Sequence, residues 1–470
     1  MRRTKIVCTI GPATASLEMI RELVRAGMDV ARLNFSHGTH EDHARVARLV
    51  RQAANEQGHT VALLQDLCGP KIRSGRLRGG KGVTLKNGST VTLVSEEIVG
   101  NAQRFAISYD GLARDVSAGD RILIDDGLIE LCVLGTKKSE VHAEVINGGL
   151  LRERKGVNLP GVKLHVESLT DKDEADLKAG IEIGVDYVAL SFVRRAADVQ
   201  RVQRILRRAK ARIPVLAKLE KPEAVENLDA ILVVSDGVMV ARGDLGVELP
   251  PEKVPLVQKK IIQKAAAARV PVITATQMLE SMTVHPRPTR AEASDVANAI
   301  LDGTDAVMLS GETASGAYPI EAVEMMVRIA LQADQARLET FSMRRQPKLE
   351  SIAETICENV VHVTQMLNVK ALVAFSRSGS TARLISKYRP ARPIYAFCDD
   401  EAVARRAALY WGVTPFIMPL TLDSESTLIE ATQILLQKKL IAPGDILAVV
   451  AGNPAKPGQT DRMRLVRVSA

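Results

Sequence analysis

Short runs of β-branched and apolar residues alternate, through residues 1–340, with longer segments whose apolar positions repeat at helical spacing. This alternation indicates repeated strand–helix units and a parallel sheet. The predicted strands lie at residues 5–10, 29–35, 60–67, 187–192, 215–220, 238–242, 272–276 and 306–310. Eight strand–helix pairs favour a closed (β/α)8 TIM barrel, in which functional residues lie at the carboxyl ends of the strands.

The segment between the third and fourth predicted strands is about a hundred residues long, where a barrel normally has a short loop. It contains alternating stretches and the hairpin signals Asn87-Gly88, Asp110-Gly111 and Asp126-Gly127. We therefore predict an inserted small β-barrel domain. Its place on the catalytic face of the barrel suits a lid.

A further alternating pattern follows a charged, helix-poor segment at residues 343–348. It predicts strands at 371–375, 393–397, 413–417 and 445–450, separated by helices. Such a pattern is typical of a doubly wound α/β sheet, whose ligands bind at the carboxyl ends of the strands. The domain boundaries predicted from these patterns are 1–69 with 168–342 for the barrel, 70–167 for the lid and 343–470 for the C-terminal α/β domain.

Composition fits a protein of several domains that remains in the cytoplasm. The 470-residue chain has no apolar run near the ~20 residues of a membrane span. The first apolar stretch, residues 6–10, is too short for a signal peptide. The five cysteines are scattered without a C-x-x-C pair, which favours reduced thiols over disulfides or zinc.

The net charge of +8 raises the question of nucleic-acid binding. Aromatic residues make up only 3% of the chain, with Trp411 as the single tryptophan, so stacking platforms for bases are lacking. The most basic stretch, residues 194–212, fits a solvated helix face. A basic enzyme with small polyanionic substrates and no nucleic-acid or membrane partner is the favoured interpretation.

Polar residues cluster where the predicted barrel strands end. They include Arg32, Asn34, Ser36, Lys218, Glu220, Asp244 and Thr276. Glu220 and Asp244 lie on neighbouring strands beside Lys218, and paired carboxylates suit a magnesium ion that also contacts phosphate and water. Rim salt bridges would use the same residue types, so that alternative stays open for each residue singly.

Six segments in order along the chain resemble pyruvate kinase. They are residues 4–12 (TKIVCTIGP), 31–38 (ARLNFSHG), 155–161 (KGVNLPG), 240–248 (VARGDLGVE), 275–282 (ATQMLESM) and 307–313 (VMLSGET). The resemblance covers nearly the whole chain. It implies transfer of a phosphoryl group from phosphoenolpyruvate to ADP, giving pyruvate and ATP, by a three-domain enzyme with a mobile lid that forms a homotetramer.

The resemblance also implies roles for the polar residues. Glu220 and Asp244 would bind Mg²⁺, for which Mn²⁺ is an alternative, and Lys218 would lie against the transferring phosphoryl group. Arg32 and Arg73 would grip phosphates. The nucleotide would contact Asn34, His37, Arg73 and Lys155.

The substrate carboxylate would bind to backbone amides around Gly243 and Asp244 and to the Thr276 hydroxyl. The enolate left by phosphate departure must be protonated at carbon. Thr276 lies near that face in the family, but a hydroxyl is a poor acid. A water chain that includes Ser310 and Glu312 is therefore the preferred proton source.

One departure from the family concerns the monovalent cation. Members that require potassium resemble DTKGPE where residues 66–71 of this chain read DLCGPK. The corresponding cation site would comprise Asn34, Ser36, Asp66 and Leu67. We predict that the ammonium of Lys71 replaces potassium's charge, so that potassium is not required. A solvent-facing Lys71 is the alternative.

The C-terminal domain contains a hydroxyl-rich turn suited to phosphate. Ser376, Arg377, Ser378, Gly379, Ser380 and Thr381 follow a predicted strand and open a helix. The turn resembles the family's effector loop, which implies a phosphorylated allosteric effector; an ordinary capped helix start is the alternative.

Two other functions remain to be weighed. A barrel lyase or aldolase that forms an enolate with magnesium would use Glu220, Asp244 and Lys218 equally well. The inserted lid favours phosphoryl transfer, because excluding water matters most when hydrolysis competes with transfer to a nucleotide. A basic nucleic-acid-binding protein lacks a recognisable motif.

Overall fold

A computed structural model describes residues 1–340, 351–421, 423–452 and 459–469. The charged connection predicted at residues 343–348 lies outside these residues. Elements are numbered along the whole chain. Among the described residues, no helix combines the length and apolar character needed to cross a membrane.

Eight parallel strands form a closed barrel, as predicted. They are β1 Lys5–Thr9, β2 Val30–Asn34, β3 Ala62–Asp66, β14 Tyr187–Leu190, β15 Val215–Leu219, β16 Gly237–Ala241, β17 Val272–Ala275 and β18 Ala306–Leu309. Their order around the barrel is β1-β18-β17-β16-β15-β14-β3-β2. Each strand ends one or two residues before its predicted end, because ladder pairing stops where the loops with polar residues begin.

Helices surround the barrel and bury their apolar faces against the strands. They are α1 Leu17–Ala26, α2 His40–Glu56, α4 Asp171–Ile183, α5 Ala196–Arg208, α6 Pro222–Glu226, α7 Leu228–Val234, α8 Arg242–Glu248, α9 Val254–Ala267, α10 Arg290–Asp302, α11 Gly311–Ala314 and α12 Pro319–Thr340, with 3₁₀ turns at Pro251–Lys253 and Glu280–Thr283. The capping box at the start of α10 is present, since Thr289 and Glu292 exchange side-chain and backbone hydrogen bonds.

The inserted domain is β-rich, as predicted. Its elements are β4 Arg76–Leu77, β5 Val83–Leu85, β6 Thr90–Val94, β7 Val99–Gly100, β8 Arg104–Ala106, α3 Leu112–Asp115, β9 Arg121–Ile124, β10 Ile129–Lys137, β11 Glu140–Asn147, β12 Gly149–Leu151 and β13 Val157–Asn158. Six strands in the order β13-β9-β10-β11-β6-β8 form a half-barrel sheet, and two pairs, β12-β5 and β4-β7, complete the domain.

Only one of the three predicted hairpins is present. Asp126-Gly127 joins the antiparallel strands β9 and β10. The Asn87-Gly88 prediction is wrong, because β5 pairs with β12 and β6 pairs with β11 and β8. Asp110-Gly111 is also not a hairpin, since Gly111 caps the short helix α3. Turn residues specify a local bend, but strand pairing depends on distant partners.

The C-terminal domain has a five-stranded sheet in the order β21-β20-β19-β22-β23. Its elements are α13 Ile352–Met366, β19 Val369–Phe375, α14 Ser380–Lys387, β20 Ile394–Cys398, α15 Glu401–Ala407, β21 Val413–Ile417, α16 Ser424–Gln437, β22 Ile446–Gly452 and β23 Thr460–Arg467. Leu372 and Ala374 pack with α13 and α14, whereas Ala371 and Val373 pack with α16. Helices on both faces confirm the doubly wound fold. The antiparallel edge strand β23 was not predicted.

A buried ionic contact joins the C-terminal domain to the barrel. Asp305, just before β18, lies 2.6 Å from Lys387 Nζ and 2.9 Å from Arg389 Nη2. Leu409 of the C-terminal domain packs with the residues inside the barrel. The helix α14, which begins at the predicted effector loop, therefore ends on the barrel.

Candidate active site

Lys218 lies at the centre of a charged group at the carboxyl ends of the barrel strands. Its ammonium is 2.8 Å from Glu220 Oε1 and 3.2 Å from Asp66 Oδ1, and it donates a 2.7 Å hydrogen bond to Ser191 Oγ. Burial opposes the charge, but the carboxylates of Asp66, Glu220 and Asp244 outweigh it and hold the pKa of this lysine above its ordinary value. The site therefore contains a fixed cation.

Asp66, at the end of β3, is neutralised by two cations. Arg32 Nε donates to Asp66 Oδ2 over 2.7 Å, and Arg32 Nη1 donates to Thr9 Oγ1 over 2.9 Å. Burial favours the neutral acid, but Lys218 and Arg32 outweigh it and lower the pKa of Asp66. Strands β1, β2, β3 and β15 thus deliver one connected ionic network.

Glu220 and Asp244 form an acidic pair at the same barrel mouth. Glu220 is 2% exposed, and its Oε2 accepts from the Phe192 amide over 2.9 Å. Burial and then the negative charge of Glu220 raise the pKa of Asp244 to about 6. This mutual repulsion is what a divalent cation would relieve. No group of three or more His, Cys, Asp or Glu side chains suited to a metal occurs in the described ranges, so the protein offers two carboxylates.

The chain bends sharply after β17. Thr276 and Gln277 have left-handed φ angles of 68° and 52°, unusual for a β-branched residue such as Thr276. The Thr276 hydroxyl accepts from the Gly243 amide over 2.7 Å, and Arg242 donates to the Thr276 carbonyl over 2.9 Å. The Gly243 amide is therefore already hydrogen-bonded, and an incoming carboxylate would compete with Thr276 for it.

Glu312 joins the loops that follow β17 and β18. It is fully buried; Oε1 accepts from the Leu279 amide over 3.0 Å and Oε2 from the Ser310 amide over 2.7 Å. Its contacts are those of a positioning residue. The buried Ser310 hydroxyl has no hydrogen-bond partner among residues that the structure describes, which leaves it available to a water or ligand.

A cleft of about 330 Å³ separates the barrel mouth from the inserted domain. Asp244 lines it from the barrel, and Lys71, Arg73 and Asp126 line it from the inserted domain. Lys71 is exposed, and its ammonium makes no ion pair within the described part of the chain. Lys71 therefore does not contact Asp66 directly; its charge acts across the cleft, where it lowers the pKa of Asp244 against the larger effect of burial.

The loop after β2 lies beside this cleft. Asn34 Oδ1 accepts from the Ser36 amide over 3.2 Å, which fixes the turn. His37 is exposed, and its pKa is lowered by partial burial and then by the charges of Lys71 and Arg73. A neutral imidazole among cations fits a site for a polyanion.

The remaining predicted nucleotide contact, Lys155, belongs to the inserted domain. Its ammonium lies 2.9 Å from Asp125 Oδ1. Leu67, by contrast, is buried at the end of β3 and offers only backbone atoms, of which the amide donates to the Ala189 carbonyl over 3.0 Å.

The predicted effector loop connects β19 to α14, far along the chain from the barrel mouth. Gly379 adopts a left-handed φ of 80° as the residue before α14, and the Ser378 and Ser380 hydroxyl oxygens are 2.9 Å apart. Arg377 Nε lies 3.1 Å from Asp399 Oδ2, and Thr381 Oγ1 lies 2.8 Å from Thr460 Oγ1. The buried Ser376 hydroxyl has no hydrogen-bond partner in the described ranges.

Several residues with roles in these networks were not predicted from the sequence. They are Thr9, Ser191 and Arg242, together with Asn158 and Glu248, whose side chains are joined by a 3.0 Å hydrogen bond at the cleft. Four of these residues lie inside the quoted motifs, so the motifs offered a signal. Ser191 follows β14, and its position at a strand end was the available clue.

Comparison with known proteins identifies the family. The model for the pyruvate kinase barrel domain matches residues 1–323, and the model for the pyruvate kinase alpha/beta domain matches residues 354–466. The chain belongs to the pyruvate kinase family. This confirms the resemblance seen in the six motifs.

Curated relatives support the same family over nearly the full length. A pyruvate kinase of Geobacillus stearothermophilus is 48% identical, with 99% of this chain and 80% of the relative covered. A pyruvate kinase of Staphylococcus epidermidis is 47% identical with the same coverage. The crystal structure of a pyruvate kinase from Cryptosporidium parvum has a TM-score of 0.91 and 40% identity, covering 99% of this chain and 96% of that one.

Because the chain belongs to the pyruvate kinase family, it is a phosphotransferase. The predicted fold, a TIM barrel with an inserted β domain and a C-terminal α/β domain, is confirmed. Membership does not support the alternative of a barrel lyase or aldolase.

Proposed function

We propose that this pyruvate kinase family member transfers the phosphoryl group of phosphoenolpyruvate to ADP, giving pyruvate and ATP. The observation that carries the proposal is the buried ammonium of Lys218, ion-paired to Asp66 and Glu220 at the barrel mouth. A fixed cation at this point stabilises the charge that spreads over the oxygens of a phosphoryl group in transfer. Because the two carboxylates hold it, the ammonium is preorganised for this role.

The acidic pair has the chemistry of a magnesium site. Mg²⁺ is bound by one or two carboxylates, with substrate phosphates and waters as the other ligands, and Glu220 with Asp244 supply that set. When bound, the metal would neutralise phosphate charge; Mn²⁺ prefers the same ligands. The raised pKa of Asp244 fits a site that gains from a divalent cation.

The substrates would be held by cations and backbone donors around the pair. We propose that Arg32 and Arg73 bind phosphate oxygens and that the amides of Gly243 and Asp244, with the Thr276 hydroxyl, bind the carboxylate. The nucleotide would contact Asn34, His37, Arg73 and Lys155. Protonation of the enolate through water beside Ser310, with Glu312 holding the loop, stays a prediction.

An assay with phosphoenolpyruvate, ADP and Mg²⁺ tests this function. We expect pyruvate and ATP in equal amounts, with no pyruvate above background when ADP is omitted. A lyase would form pyruvate or another product without ATP. Salt-sensitive binding to random oligonucleotides, in the absence of this activity, would instead support the nucleic-acid interpretation.

We propose that potassium is not required. Asp66 already pairs with Lys218 and Arg32. Lys71 adds positive charge at the cleft: burial, and then the charge of Lys71, lower the pKa of His37. We expect potassium to change the activity of the wild type by less than about twofold, because the ammonium of Lys71 supplies, across the cleft, the positive charge that potassium would otherwise provide. Lys71→Glu should make activity depend on potassium.

The control for this prediction is Lys86→Glu, which reverses an exposed charge elsewhere on the inserted domain. It should leave activity insensitive to potassium. If potassium raises the wild-type rate severalfold in a potassium-free assay, the proposal is wrong.

We further propose that the turn between β19 and α14 binds the phosphate of an allosteric effector. Backbone amides at a helix start and the hydroxyls of Ser378 and Ser380 suit a phosphate. Ser378→Asp should abolish activation by hexose phosphates and nucleoside monophosphates, since a carboxylate repels the phosphate. Asn359→Asp, which adds a charge on an exposed part of α13, should retain it. Unchanged activation of Ser378→Asp by every effector that activates the wild type would contradict the assignment.

The domain boundaries predicted above, a mobile lid, a homotetramer and a cytoplasmic location complete the proposal. The boundaries rest on the alternating strand and helix patterns and the location on composition, whereas the mobility of the lid and the tetramer follow from the family resemblance. Light scattering of the purified protein measures the oligomer directly, and a mass of four chains is expected.

A further inference from the structure

Glu248, the last residue of α8, connects the inserted domain to the barrel mouth. Its Oε1 accepts 3.0 Å and 2.5 Å hydrogen bonds from Asn158 Nδ2 of β13 and Lys221 Nζ of the barrel. The Glu248 side chain is 3% exposed and that of Lys221 10%. A carboxylate this deeply buried is costly unless it is paired and hydrogen-bonded, so both donors stabilise it.

The two barrel residues of this contact, Lys221 and Glu248, are both connected to the acidic pair of Glu220 and Asp244. Lys221 follows Glu220 in the chain, and its ammonium lies 5.7 Å from the centre of the Phe192 ring. The Phe192 amide in turn donates to Glu220 Oε2. Glu248 ends the helix α8, whose first turn carries Asp244. A displacement of Glu248 would therefore act on both carboxylates.

Asn158 supplies the contact from the inserted domain. It lies on β13, an edge strand of the half-barrel sheet that pairs with β9. The preceding residue, Val157, donates its amide to the Ile72 carbonyl over 2.9 Å, close to the point where the chain enters the inserted domain. If the inserted domain moves away from the barrel, Glu248 loses Asn158 but keeps Lys221.

We infer that Glu248 is a positioning residue that couples the seating of the inserted domain to the arrangement of Glu220 and Asp244. With Asn158 in place, α8 is held at both ends, by Glu248 and by the Gly243–Thr276 contact. Without the Asn158 hydrogen bond, Glu248 is held by Lys221 alone, so the end of α8 is held less tightly and the acidic pair is less well arranged. The inference rests on the proposed function for the role of the pair.

Asn158→Leu tests the coupling, because it removes the donor at similar volume and leaves the Lys221–Glu248 pair intact. Hydrogen exchange is measured on the purified full-length enzyme without metal or substrates. We expect residues 242–249, as well as 153–162, to exchange about tenfold faster than in the wild type, the effect of losing a hydrogen bond to a charged group. The Mg²⁺ concentration needed for half-maximal rate should rise about tenfold, with a smaller change in kcat at saturating Mg²⁺, because the acidic pair that would bind the metal is less well arranged.

Glu248→Gln provides a second variant, which leaves Lys221 without its anion and should also speed exchange at residues 242–249. Its matched control is Glu252→Gln, at an exposed position just beyond α8, where wild-type exchange is expected. Faster exchange of Asn158→Leu at residues 153–162 alone, or no change, would overturn the coupling. Absence of pyruvate formation by the wild type would overturn the proposed function instead, and the exchange data would still decide the coupling.

Discussion

Lys218→Met is expected to lower kcat by about three orders of magnitude. The ammonium of Lys218 is buried between Asp66 and Glu220. Removing one preorganised donor from an active site commonly costs a factor of 10²–10³, and a charge in a buried site has the larger effect. The substitution also leaves Glu220 without its cation, so less favourable binding of phosphoenolpyruvate is expected as well.

The measurement is the steady-state rate of pyruvate formation at saturating Mg²⁺ and ADP. Lys178→Met, which removes an exposed ammonium on α4, is the control and should keep the wild-type rate. Circular dichroism would show whether both variants are folded. A folded Lys218→Met enzyme with a rate within tenfold of the wild type would contradict the assigned role.

Asp305→Asn is expected to lower the free energy of unfolding by about 3–5 kcal/mol. The carboxylate, 1% exposed, pairs with Lys387 and Arg389 from the C-terminal domain. Without it, two buried cations face each other with no anion between them. Lys387→Met should be much milder, because Asp305 keeps Arg389 and the buried pair becomes neutral.

The loss in the free energy of unfolding caused by Asp305→Asn should become smaller as the pH rises from 7 to about 9. Burial, opposed by Asp305, lowers the pKa of Lys387 from 10.5 to about 8. Between about 8 and 10.5 the folded protein therefore binds fewer protons than the unfolded protein, and stability rises with pH. Near pH 9 Lys387 is largely neutral in the wild type too, so losing its partner costs less. Denaturant unfolding at both pH values measures this. A loss of stability by Asp305→Asn that is equal at pH 7 and pH 9 would contradict the pH dependence, and a loss by Lys387→Met equal to that of Asp305→Asn at pH 7 would contradict the assignment of the anion.

The barrel could be predicted from sequence because its strands are short, apolar and regularly separated by helices. The same regularity placed Lys218, Glu220 and Asp244 at neighbouring strand ends, and the structure brings them together with Arg32 and Asp66. Strand order in a closed barrel follows chain order, so sequence neighbours become spatial neighbours.

The inserted domain was harder to predict, because its pairing is not sequential. Residues 83–94 read as a hairpin around Asn87-Gly88, yet the two strands pair with separate distant partners. The β23 strand has exposed polar positions at a sheet edge, which weakens the alternation that reveals strands. Asn158 and Glu248 are 90 residues apart, and only the folded chain shows their contact.

The rate of ATP formation by Glu220→Gln, compared with the wild type, tests the central claim most directly. Neutralising this carboxylate removes half of the acidic pair and one of the two carboxylates that hold the Lys218 ammonium. With phosphoenolpyruvate, ADP and Mg²⁺ at saturating concentrations, the rate should fall by about 10³, whereas Glu252→Gln should match the wild type. An unchanged rate for Glu220→Gln would contradict phosphoryl transfer at this site.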